Sequence, residues 1–466
     1  MTDPGDLMAS LDAQLKPYRG EFPSFAALPA DGLPKDEVAG LVERLAGLEE
    51  HRWRDGFASG AVYHGDPGHV AFLNRVYAAQ SQSNPLHPDL WPSAAKFEAK
   101  IVSMTATMLG AEHVTPEAPV VGAVSSGGTE SILLAMKAYR DFARERRGIA
   151  EPQIVAPVTA HAAFDKAARF FDMELVRVGV DADFKADLAA MADAVTDRTA
   201  VLVESAPSFP HGVIDPIPQL AALAAGRGVG CHVDACLGGF IVPWAQRLGY
   251  PVPPFDFRVP GVTSMSADTH KYGYAAKGTS VVLYRGRELR QFQFYTVTDW
   301  PGGLYLSPTF AGSRPGALSA ECWAALVSIG ERGYLDAARR ILETGARVRD
   351  GIAAIPGLRV LGEPAMSVFA FASDTVDVYV LGDAMEKRGW KLDRQQRPPC
   401  LHLMVTPAHA AVVDEFLGDL RACVASIEAT RPTPEGAAAM YGMLGAAPER
   451  SMIGTFILDF MEGLDP

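Results

Sequence analysis

Short apolar runs alternate with longer amphipathic segments between residues 119 and 285. One such segment, Ser131–Arg144, places Ile132, Leu133, Met136 and Tyr139 on a single helical face. Apolar strands separated by helices are typical of a mostly parallel sheet that helices cover on both sides. The pattern therefore predicts an α/β domain built on a seven-stranded sheet. Its predicted strands are Val120–Val124, Ile154–Ala156, Leu175–Val178, Val201–Glu204, Cys231–Asp234, Val262–Met265 and Ser280–Tyr284.

The rhythm changes after Gly316, where the predicted helices become longer and the apolar runs fewer. Helices that pack on a small sheet are typical of an α+β unit. The segments therefore predict a smaller C-terminal α+β domain. Its predicted helices are Leu318–Leu342, Gly345–Ala354, Val378–Arg388 and His409–Ala429, and its predicted strands are Leu358–Leu361, Ser367–Ala372 and Leu401–Val405.

An irregular arm and a helix are expected before the large domain. Residues 1–34 are broken by Pro and Gly, whereas Lys35–Arg54 has the apolar spacing of a helix. Gly56–Asp66 and Ser81–Pro92 are turn-rich and hold Asn, His, Tyr and Trp, as a binding loop or a simple surface loop would. We divide the chain into an arm with a helical segment (1–80), a large α/β domain (81–316) and a small α+β domain (317–466).

Composition restricts the classes of function. The chain has 466 residues, of which 48% are hydrophobic and 21% charged, and its formal net charge is −13. Such an acidic chain lacks the basic face of nucleic-acid and anionic-membrane binders, so any phosphate must be held locally. The sequence contains neither a long apolar stretch that predicts a membrane span nor the pattern of a secretory signal. We expect a soluble, cytoplasmic protein.

The five cysteines agree with that expectation. Their spacing is neither that of a zinc finger nor that of a dense disulfide framework. We predict that they are buried free thiols, and we expect no metal site.

The first candidate for chemistry is Ser125–Ser131, which joins a predicted strand to a predicted helix. Gly127 and Gly128 let the backbone approach an anion, and the free N–H groups and dipole at a helix start stabilise negative charge. Thr129 can add a hydroxyl donor. The stretch matches neither a P-loop nor a dinucleotide fingerprint, and a plain strand-to-helix turn would use the same residues.

Two further candidates also follow predicted strands. His161 comes just past Ile154–Ala156, at the edge where parallel sheets bind ligands, although a histidine at a helix start is often structural. Asp234 ends an apolar strand, where a carboxylate needs a cation or a hydrogen-bond donor, or caps a helix. His232 shares its strand face but lies deeper, as a satisfied core residue would.

The fourth candidate is Lys271, at the end of a stretch that begins at Ser264. A lysine beside His270, just after a buried strand, is in an environment that lowers an amine pKa and suits Schiff-base chemistry. An exposed lysine is the ordinary alternative. Lys277 is a nearby competitor, but its position in a loop is better suited to holding an anion.

The order of these four elements is more informative than any one of them. All follow strands of one predicted sheet, so they are expected to meet at one edge. Together they provide a cup for a phosphate, a group that stacks on a ring, a carboxylate for a ring nitrogen and an amine for an aldehyde. That set predicts the cofactor pyridoxal 5′-phosphate (PLP), bound as a Schiff base on Lys271.

At this point the chain resembles a known family. It is similar to the aspartate-aminotransferase-like (type I) PLP enzymes, within their group II decarboxylase family, and more closely to the sphingosine-1-phosphate lyases. The resemblance extends from the segment around Tyr63 to Ala437–Tyr441. The matching stretches are Ser125–Ile132, His161–Lys166, Val233–Phe240 and Ser266–Gly273 with its continuation through Gly278.

The resemblance implies a role for each matching residue. Lys271 would carry the cofactor, His161 would stack on its ring and Asp234 would pair with its nitrogen. The cofactor phosphate would be held by Ser126, Gly127 and Gly128, aided by Thr129 and His270. The phosphate of the substrate would be held by Tyr63, Asn84, His87 and Lys277. Ser313 matches a loop that reaches the cofactor of a partner subunit, which implies a homodimer.

The resemblance also implies a reaction of sphingolipid metabolism. Sphingosine 1-phosphate, or a related phosphorylated long-chain amino alcohol, would undergo retro-aldol cleavage to phosphoethanolamine and a long-chain aldehyde. The enzyme would be an aldehyde-lyase of the sphinganine-1-phosphate aldolase type. Tyr63, Lys277 and His87 all remain candidates for the acid–base group. Eukaryotic members have an N-terminal membrane span that is not predicted here, which implies a soluble enzyme of bacterial type.

Three alternatives are kept. A group II amino-acid decarboxylase would share Lys271, His161 and Asp234, but it would release carbon dioxide and would not need a second anion site. An inactive binding protein with the same fold would have no need to keep all four cofactor elements. A nucleotide-binding protein that uses the glycine turn would need the lysine or acidic partner of such sites, and this sequence does not supply one.

Overall fold

The computed structural model describes residues 16–18, 20, 22, 23, 25, 27–446 and 450–462. Most of the predicted N-terminal arm, residues 1–15 included, lies outside the described residues. The helix predicted next is present with the predicted bounds, as Lys35–Arg54 (α1).

The larger sheet has seven strands, as predicted. They are Val120–Ser125 (β1), Gln153–Pro157 (β2), Glu174–Val178 (β3), Thr199–Ser205 (β4), Gly230–Asp234 (β5), Ser264–Ala267 (β6) and Ser280–Arg285 (β7). Their order is β1-β7-β6-β5-β4-β2-β3, and β7 runs against both of its neighbours, while the other pairs are parallel. The carboxyl ends of the remaining strands therefore meet at one edge.

After α1, two helices precede the strands of this sheet, five lie between them in the sequence and one follows. They are Pro67–Gln80 (α2), Pro92–Met108 (α3), Gly128–Arg147 (α4), Ala163–Phe171 (α5), Leu188–Ala194 (α6), Ile217–Arg227 (α7), Val242–Arg247 (α8) and Arg287–Gln291 (α9). Every residue of β2 and β4 is buried, because both faces of a central parallel strand are covered. This explains why the strands are continuous apolar runs in the sequence.

One predicted strand is displaced. Val262–Met265 was expected, but β6 begins at Ser264 and continues to Ala267. Val262 is buried, yet its N–H donates to Val259 O at 3.1 Å in a turn that precedes the strand. The run of apolar residues thus begins before the hydrogen-bonded ladder does.

A second sheet of four antiparallel strands lies in the C-terminal part of the chain, as predicted for a smaller α+β unit. A separate two-stranded ribbon is formed by Tyr295–Val297 (β8) and Tyr305–Ser307 (β9). The second sheet contains Leu358–Val360 (β10), Val368–Ser373 (β11), Asp393–Gln395 (β12) and Cys400–Met404 (β13). The C-terminal helices are Gly316–Ala353 (α10), Val378–Glu386 (α11), Val413–Thr430 (α12), Gly436–Ala446 (α13) and Arg450–Glu462 (α14).

The sequence predicted two helices with a break before Gly345. The structure has one long element, α10, whose interruption lies earlier. At the predicted break, Thr344 Oγ1 donates to Arg340 O at 2.6 Å and the helix continues. The non-helical residue is Gly330, with φ 61° and ψ 176°. The predicted helix His409–Ala429 is also corrected, because Pro407–Ala411 is a separate 3₁₀ turn and α12 begins at Val413.

One continuous apolar core joins the two sheets. It contains Val233 and Met265 of the larger sheet and Val368 and Phe369 of the smaller one. Tyr272 links them further, because its hydroxyl donates to Val405 O at 2.9 Å. The segment that carries Lys271 is thereby held between the sheets. Among the described helices, none is long and apolar enough to cross a membrane.

Candidate active site

A cavity of about 470 Å³ lies at the carboxyl edge of the larger sheet. Its volume is within the range of small-molecule and cofactor sites. The structure brings most of the predicted site residues together around it. Those that line the cavity are Tyr63, Ser126, Gly127, Gly128, Thr129, His161, Asp234, His270 and Lys271.

The predicted anion cup is formed where β1 leads into α4. Ser125 Oγ lies 2.7 Å from Ser131 Oγ, and the Ser126 N–H donates to Glu130 Oε2 at 2.6 Å, so the turn is fixed from within. A Cβ atom on Gly128 would lie 2.7 and 2.8 Å from the two carboxylate oxygens of Asp268. Only glycine therefore fits at the start of this helix.

Lys271 forms an ion pair with Asp268, with 2.9 Å between Nζ and Oδ2. The sequence predicted a lowered pKa for this lysine, and that prediction is wrong. Burial is the largest single influence on the pKa of Lys271 and lowers it. The Asp268 carboxylate, together with Cys236 and Tyr63, nevertheless raises this pKa above the ordinary range of lysine. Burial likewise acts to raise the pKa of Asp268, but the charge of Lys271 lowers it.

Asp234 and His161 line the cavity from the carboxyl-terminal sides of two different strands, β5 and β2. Asp234 ends β5, and its Oδ1 accepts from the Cys236 N–H at 3.0 Å and from the Ser266 hydroxyl at 3.2 Å. His161 lies just before α5, where its Nδ1 accepts from the Ala163 N–H at 3.1 Å. The same histidine thus fixes a helix start and presents its ring to the cavity.

His232 is a fully buried residue with hydrogen-bond partners, as predicted. Its Nδ1 lies 2.7 Å from Ser264 Oγ, and its Nε2 lies 3.4 Å from Ser266 Oγ. The five cysteines are also buried free thiols, as predicted.

The residues predicted for the substrate phosphate form two separate groups. Lys277 Nζ lies 4.8 Å from the centroid of the Tyr63 ring, beside the cavity. Asn84 instead donates to Ser313 Oγ at 3.1 Å. Of the residues predicted for the substrate phosphate, only Tyr63 lines the cavity of its own chain, and Lys277 reaches it through its contact with Tyr63. Asn84, His87 and Ser313 are not among the lining residues.

Burial changes the proton affinity of the first group. It raises the pKa of Tyr63 to about 12, so the phenol keeps its proton at neutral pH. Burial and the charge of Lys271 together lower the pKa of Lys277. An arriving phosphate would meet both a phenolic donor and an amine.

Sequence reasoning missed several residues of the cavity. Asp268 precedes Lys271 by three residues, so a local turn between two opposite charges was the signal that could have identified it. Phe209 and Met404 also line the cavity. They come from distant segments, and nothing in their local sequence indicates a site.

The residues present fit PLP. Gly127 and Gly128 line the cavity at the start of a helix, whose free N–H groups can bind a phosphate. An amine, a carboxylate and an imidazole face the same cavity, from Lys271, Asp234 and His161. These are the groups that an aldehyde, a ring nitrogen and an aromatic face require.

The comparisons with known proteins agree with this geometry. The pyridoxal-dependent decarboxylase conserved domain matches residues 69–373. The sphingosine-1-phosphate lyase of Arabidopsis thaliana is 45% identical over 434 residues, which cover 91% of this chain and 80% of that protein. Sphingosine-1-phosphate lyase 1 of Rattus norvegicus is 46% identical over 446 residues, which cover 94% of this chain and 77% of that protein.

Solved structures give the same result. The sphingosine-1-phosphate lyase of Burkholderia pseudomallei is 42% identical and superimposes with a TM-score of 0.87, over 93% of this chain and 100% of that one. The glutamate decarboxylase of Lactobacillus brevis, with a TM-score of 0.76 at 19% identity, shares the fold. The chain therefore belongs to the sphingosine-1-phosphate lyase family of the pyridoxal-dependent decarboxylases, and its cofactor is PLP.

Proposed function

We propose that this protein is a PLP-dependent lyase that cleaves sphingosine 1-phosphate, or a related phosphorylated long-chain amino alcohol, into phosphoethanolamine and a long-chain aldehyde. The observation that carries the proposal is the identity of 45% and 46% with sphingosine-1-phosphate lyases over more than nine-tenths of the chain. The wider decarboxylase family shares the fold at much lower identity.

The side chains around the cavity have complementary tasks in this proposal. Lys271 is the attachment point, and the backbone N–H groups at Gly127, Gly128 and Thr129 bind the cofactor phosphate. Asp234 holds the proton on the ring nitrogen, and His161 packs on the ring. When bound, PLP supplies an electron-withdrawing ring that accepts the electron pair of the broken carbon–carbon bond.

Tyr63 and Lys277 act on the substrate side. Because the Tyr63 pKa is about 12, its hydroxyl keeps a proton and donates a hydrogen bond to a substrate oxygen. Lys277, whose amine lies over the Tyr63 ring, binds the substrate phosphate through a charge-assisted hydrogen bond. The proton of the substrate hydroxyl must pass to a different group, because an ammonium at Lys277 cannot accept it.

We also infer that the protein is a homodimer. Asn84 and Ser313 bind each other but do not line the cavity of their own chain. Arg314 is fixed beside them, since its guanidinium forms an ion pair with Glu98 and its backbone N–H donates to Asn84 Oδ1 at 3.3 Å. A rigid loop of this kind supports a role at the cavity of a second subunit.

The reaction can be tested directly with the PLP-loaded protein and sphingosine 1-phosphate. We expect phosphoethanolamine and long-chain aldehyde in equal amounts, and no product from Lys271→Ala. Lys387→Ala, which changes an exposed lysine, is the control and is expected to match the wild type. Carbon dioxide release from amino acids, in place of aldehyde release, would instead identify a decarboxylase.

A further inference from the structure

Asp234 is the end of a chain of hydrogen-bonded side chains that runs back into the larger sheet. Ser266 Oγ lies 3.2 Å from Asp234 Oδ1 and 3.4 Å from His232 Nε2. His232 Nδ1 lies 2.7 Å from Ser264 Oγ, which in turn lies 2.6 Å from the hydroxyl of Tyr139. Four side chains therefore connect in series behind the carboxylate.

The sheet register builds this chain. His232 pairs with Ser264 across β5 and β6, and Asp234 pairs with Ser266. Alternate residues of a strand point to the same face, so these two cross-strand pairs stack on one side of the sheet. His232 and both serines are completely buried. Water is thus kept from the chain, and each polar group depends on its neighbour.

The donor in each hydrogen bond of this chain can be assigned by starting from the carboxylate of Asp234. An anionic carboxylate only accepts, so the Ser266 hydroxyl donates to Asp234, and the Ser266 oxygen accepts from His232 Nε2–H. Burial lowers the pKa of His232 to about 4, so the ring is neutral and its Nδ1 accepts from the Ser264 hydroxyl. Tyr139, which also contacts Thr263 Oγ1 at 2.6 Å, donates to Ser264.

The remaining neighbours act in the same direction. The Cys236 N–H donates to Asp234 Oδ1 at 3.0 Å, and its thiol donates to Ser266 Oγ at 3.4 Å. Burial raises the pKa of Cys236, so the thiol stays neutral and adds no negative charge beside Asp234. The Cys236 N–H therefore donates directly to the carboxylate, and the Cys236 thiol donates to the hydroxyl that does so.

We propose that His232 and Ser266 are positioning residues that act through Asp234, because the chain of donors from Tyr139 to Ser266 orients this carboxylate and donates to it where it meets the ring nitrogen of the cofactor. The proposal rests on the proposed function, in which Asp234 holds the proton of that nitrogen. Hydrogen bonds in series polarise one another, so the anion is stabilised by more than the nearest hydroxyl.

The physical need for such a chain is desolvation. A buried carboxylate and a protonated ring nitrogen can exchange their proton and become a neutral pair, which a low-dielectric interior favours. Donors to the carboxylate stabilise the charged pair instead. A ring nitrogen that stays protonated is the better acceptor of electrons.

The variants can be matched closely. Ser266→Ala removes one hydroxyl next to Asp234. His232→Gln keeps an N–H donor near the position of Nε2, whereas the shorter side chain in His232→Asn ends near Nδ1 and loses the contact with Ser266. Ser367→Ala is the control, because Ser367 is also a completely buried serine but contacts Tyr272 at 3.2 Å and takes no part in the chain.

The readout is the ¹⁵N signal of ring-labelled PLP bound to each variant, together with kcat and KM. We expect the wild type, His232→Gln and Ser367→Ala to show a protonated ring nitrogen. In Ser266→Ala and His232→Asn the signal is expected to move towards that of unprotonated pyridine. Loss of a hydrogen bond to a charged group should lower kcat about tenfold in Ser266→Ala, and loss of the donor behind Ser266 should lower it by a smaller factor in His232→Asn, with KM changed by less than about twofold in both.

Two outcomes separate failure of this inference from failure of the proposed function. If the wild type cleaves sphingosine 1-phosphate but Ser266→Ala and His232→Asn give the same ¹⁵N signal and kcat as Ser367→Ala, the chain has no role and only the inference is overturned. If the wild type binds PLP without a protonated ring nitrogen, the role of Asp234 itself is wrong. A variant that fails to fold is recognised by its circular dichroism, and Ser266→Ala, the smallest change, then decides.

Discussion

The ion pair between Lys271 and Asp268 holds a proton on the amine to which the cofactor must attach. Only a neutral amine attacks an aldehyde, so this proton must leave first. Because the carboxylate raises the pKa of Lys271, attachment of PLP is expected to become faster as pH rises through the alkaline range.

Asp268→Asn tests this coupling. Without the carboxylate, burial becomes the dominant influence and lowers the pKa of Lys271, so the pH profile of PLP attachment is expected to move to lower pH. Stopped-flow absorbance of the apoprotein mixed with PLP at a series of pH values measures the profile. Asp374→Asn, at an exposed ion pair, should leave it unchanged. A profile in Asp268→Asn that coincides with the wild type or moves to higher pH would contradict this account.

Lys277 offers a second residue-scale test. Lys277→Ala is expected to raise KM for sphingosine 1-phosphate at least about tenfold, since a charge-assisted hydrogen bond is lost, while the dissociation constant of PLP changes little. Lys277→Arg keeps the positive charge and should retain most of the affinity. Steady-state kinetics and PLP titration measure the two quantities. Equal losses in both would show that Lys277 does not form a separate phosphate site.

Some of the site could be predicted from single residues and some could not. Lys271, Asp234 and His161 were identified because each follows an apolar run that ends at the binding edge of a parallel sheet. The contact between Asn84 and Ser313 joins residues 229 positions apart, and no local pattern indicates it. The direction of the pKa shift of Lys271 was predicted wrongly, because it depends on the position of the Asp268 carboxylate beside the amine.

At the scale of the element, the interruption of α10 depends on one glycine. Gly330 has φ 61° and ψ 176°, a conformation that other residues rarely adopt, and a Cβ there would meet no atom within 4 Å. Gly330→Ala is therefore expected to destabilise the protein by about 1–3 kcal/mol through backbone strain alone.

Gly418→Ala is the matched control. Gly418 lies inside α12 without a positive φ, and a Cβ there also meets no atom within 4 Å, so alanine should stabilise the helix by up to about 1 kcal/mol. Chemical denaturation of the three proteins gives the comparison. A Gly330→Ala protein as stable as the wild type would show that the interruption of the helix carries no strain.

The elements that the sequence predicts well are those with a strong local pattern. α1 was predicted with its observed bounds from the spacing of its apolar residues. β6 was displaced because Val262 is apolar and buried but lies in a turn. β8, β9 and β12 have three residues each and were not predicted, whereas the equally short β10 was found because Leu361 extends its apolar pattern.

At the scale of the whole molecule, the homodimer makes a specific prediction. If Ser313 serves the cavity of the partner, a hybrid of Lys271→Ala and Ser313→Asp subunits contains one native site, because that site takes its lysine from one subunit and its serine from the other. Each variant should have little activity alone. When the two are co-refolded, random pairing makes about half of the dimers hybrids, and each hybrid has one native site of two, so about a quarter of wild-type activity should return.

The control combines Lys271→Ala with Asp234→Ala, which damage the cavity within a single subunit. No hybrid of these two contains a native site, so no recovery is expected. Absence of recovery in the first mixture, or a solution mass near the 49.8 kDa of one chain, would contradict the shared site.

The fold class could be predicted because a parallel sheet with covered faces leaves apolar strands between helices along the sequence. The core that joins the two sheets could not be predicted, because it depends on pairs such as Tyr272 and Val405, which are far apart in the chain. The domain limits at residues 80 and 316 and the cytoplasmic location stay predictions.

Attachment of the cofactor to Lys271 can be located by reducing the PLP-loaded protein with borohydride and mapping the pyridoxyl group by peptide mass spectrometry. We expect one pyridoxyl group per chain, on Lys271, in a protein that had released phosphoethanolamine and aldehyde before reduction. Attachment to Lys277, or a chain without any attached group after excess PLP, would contradict this expectation.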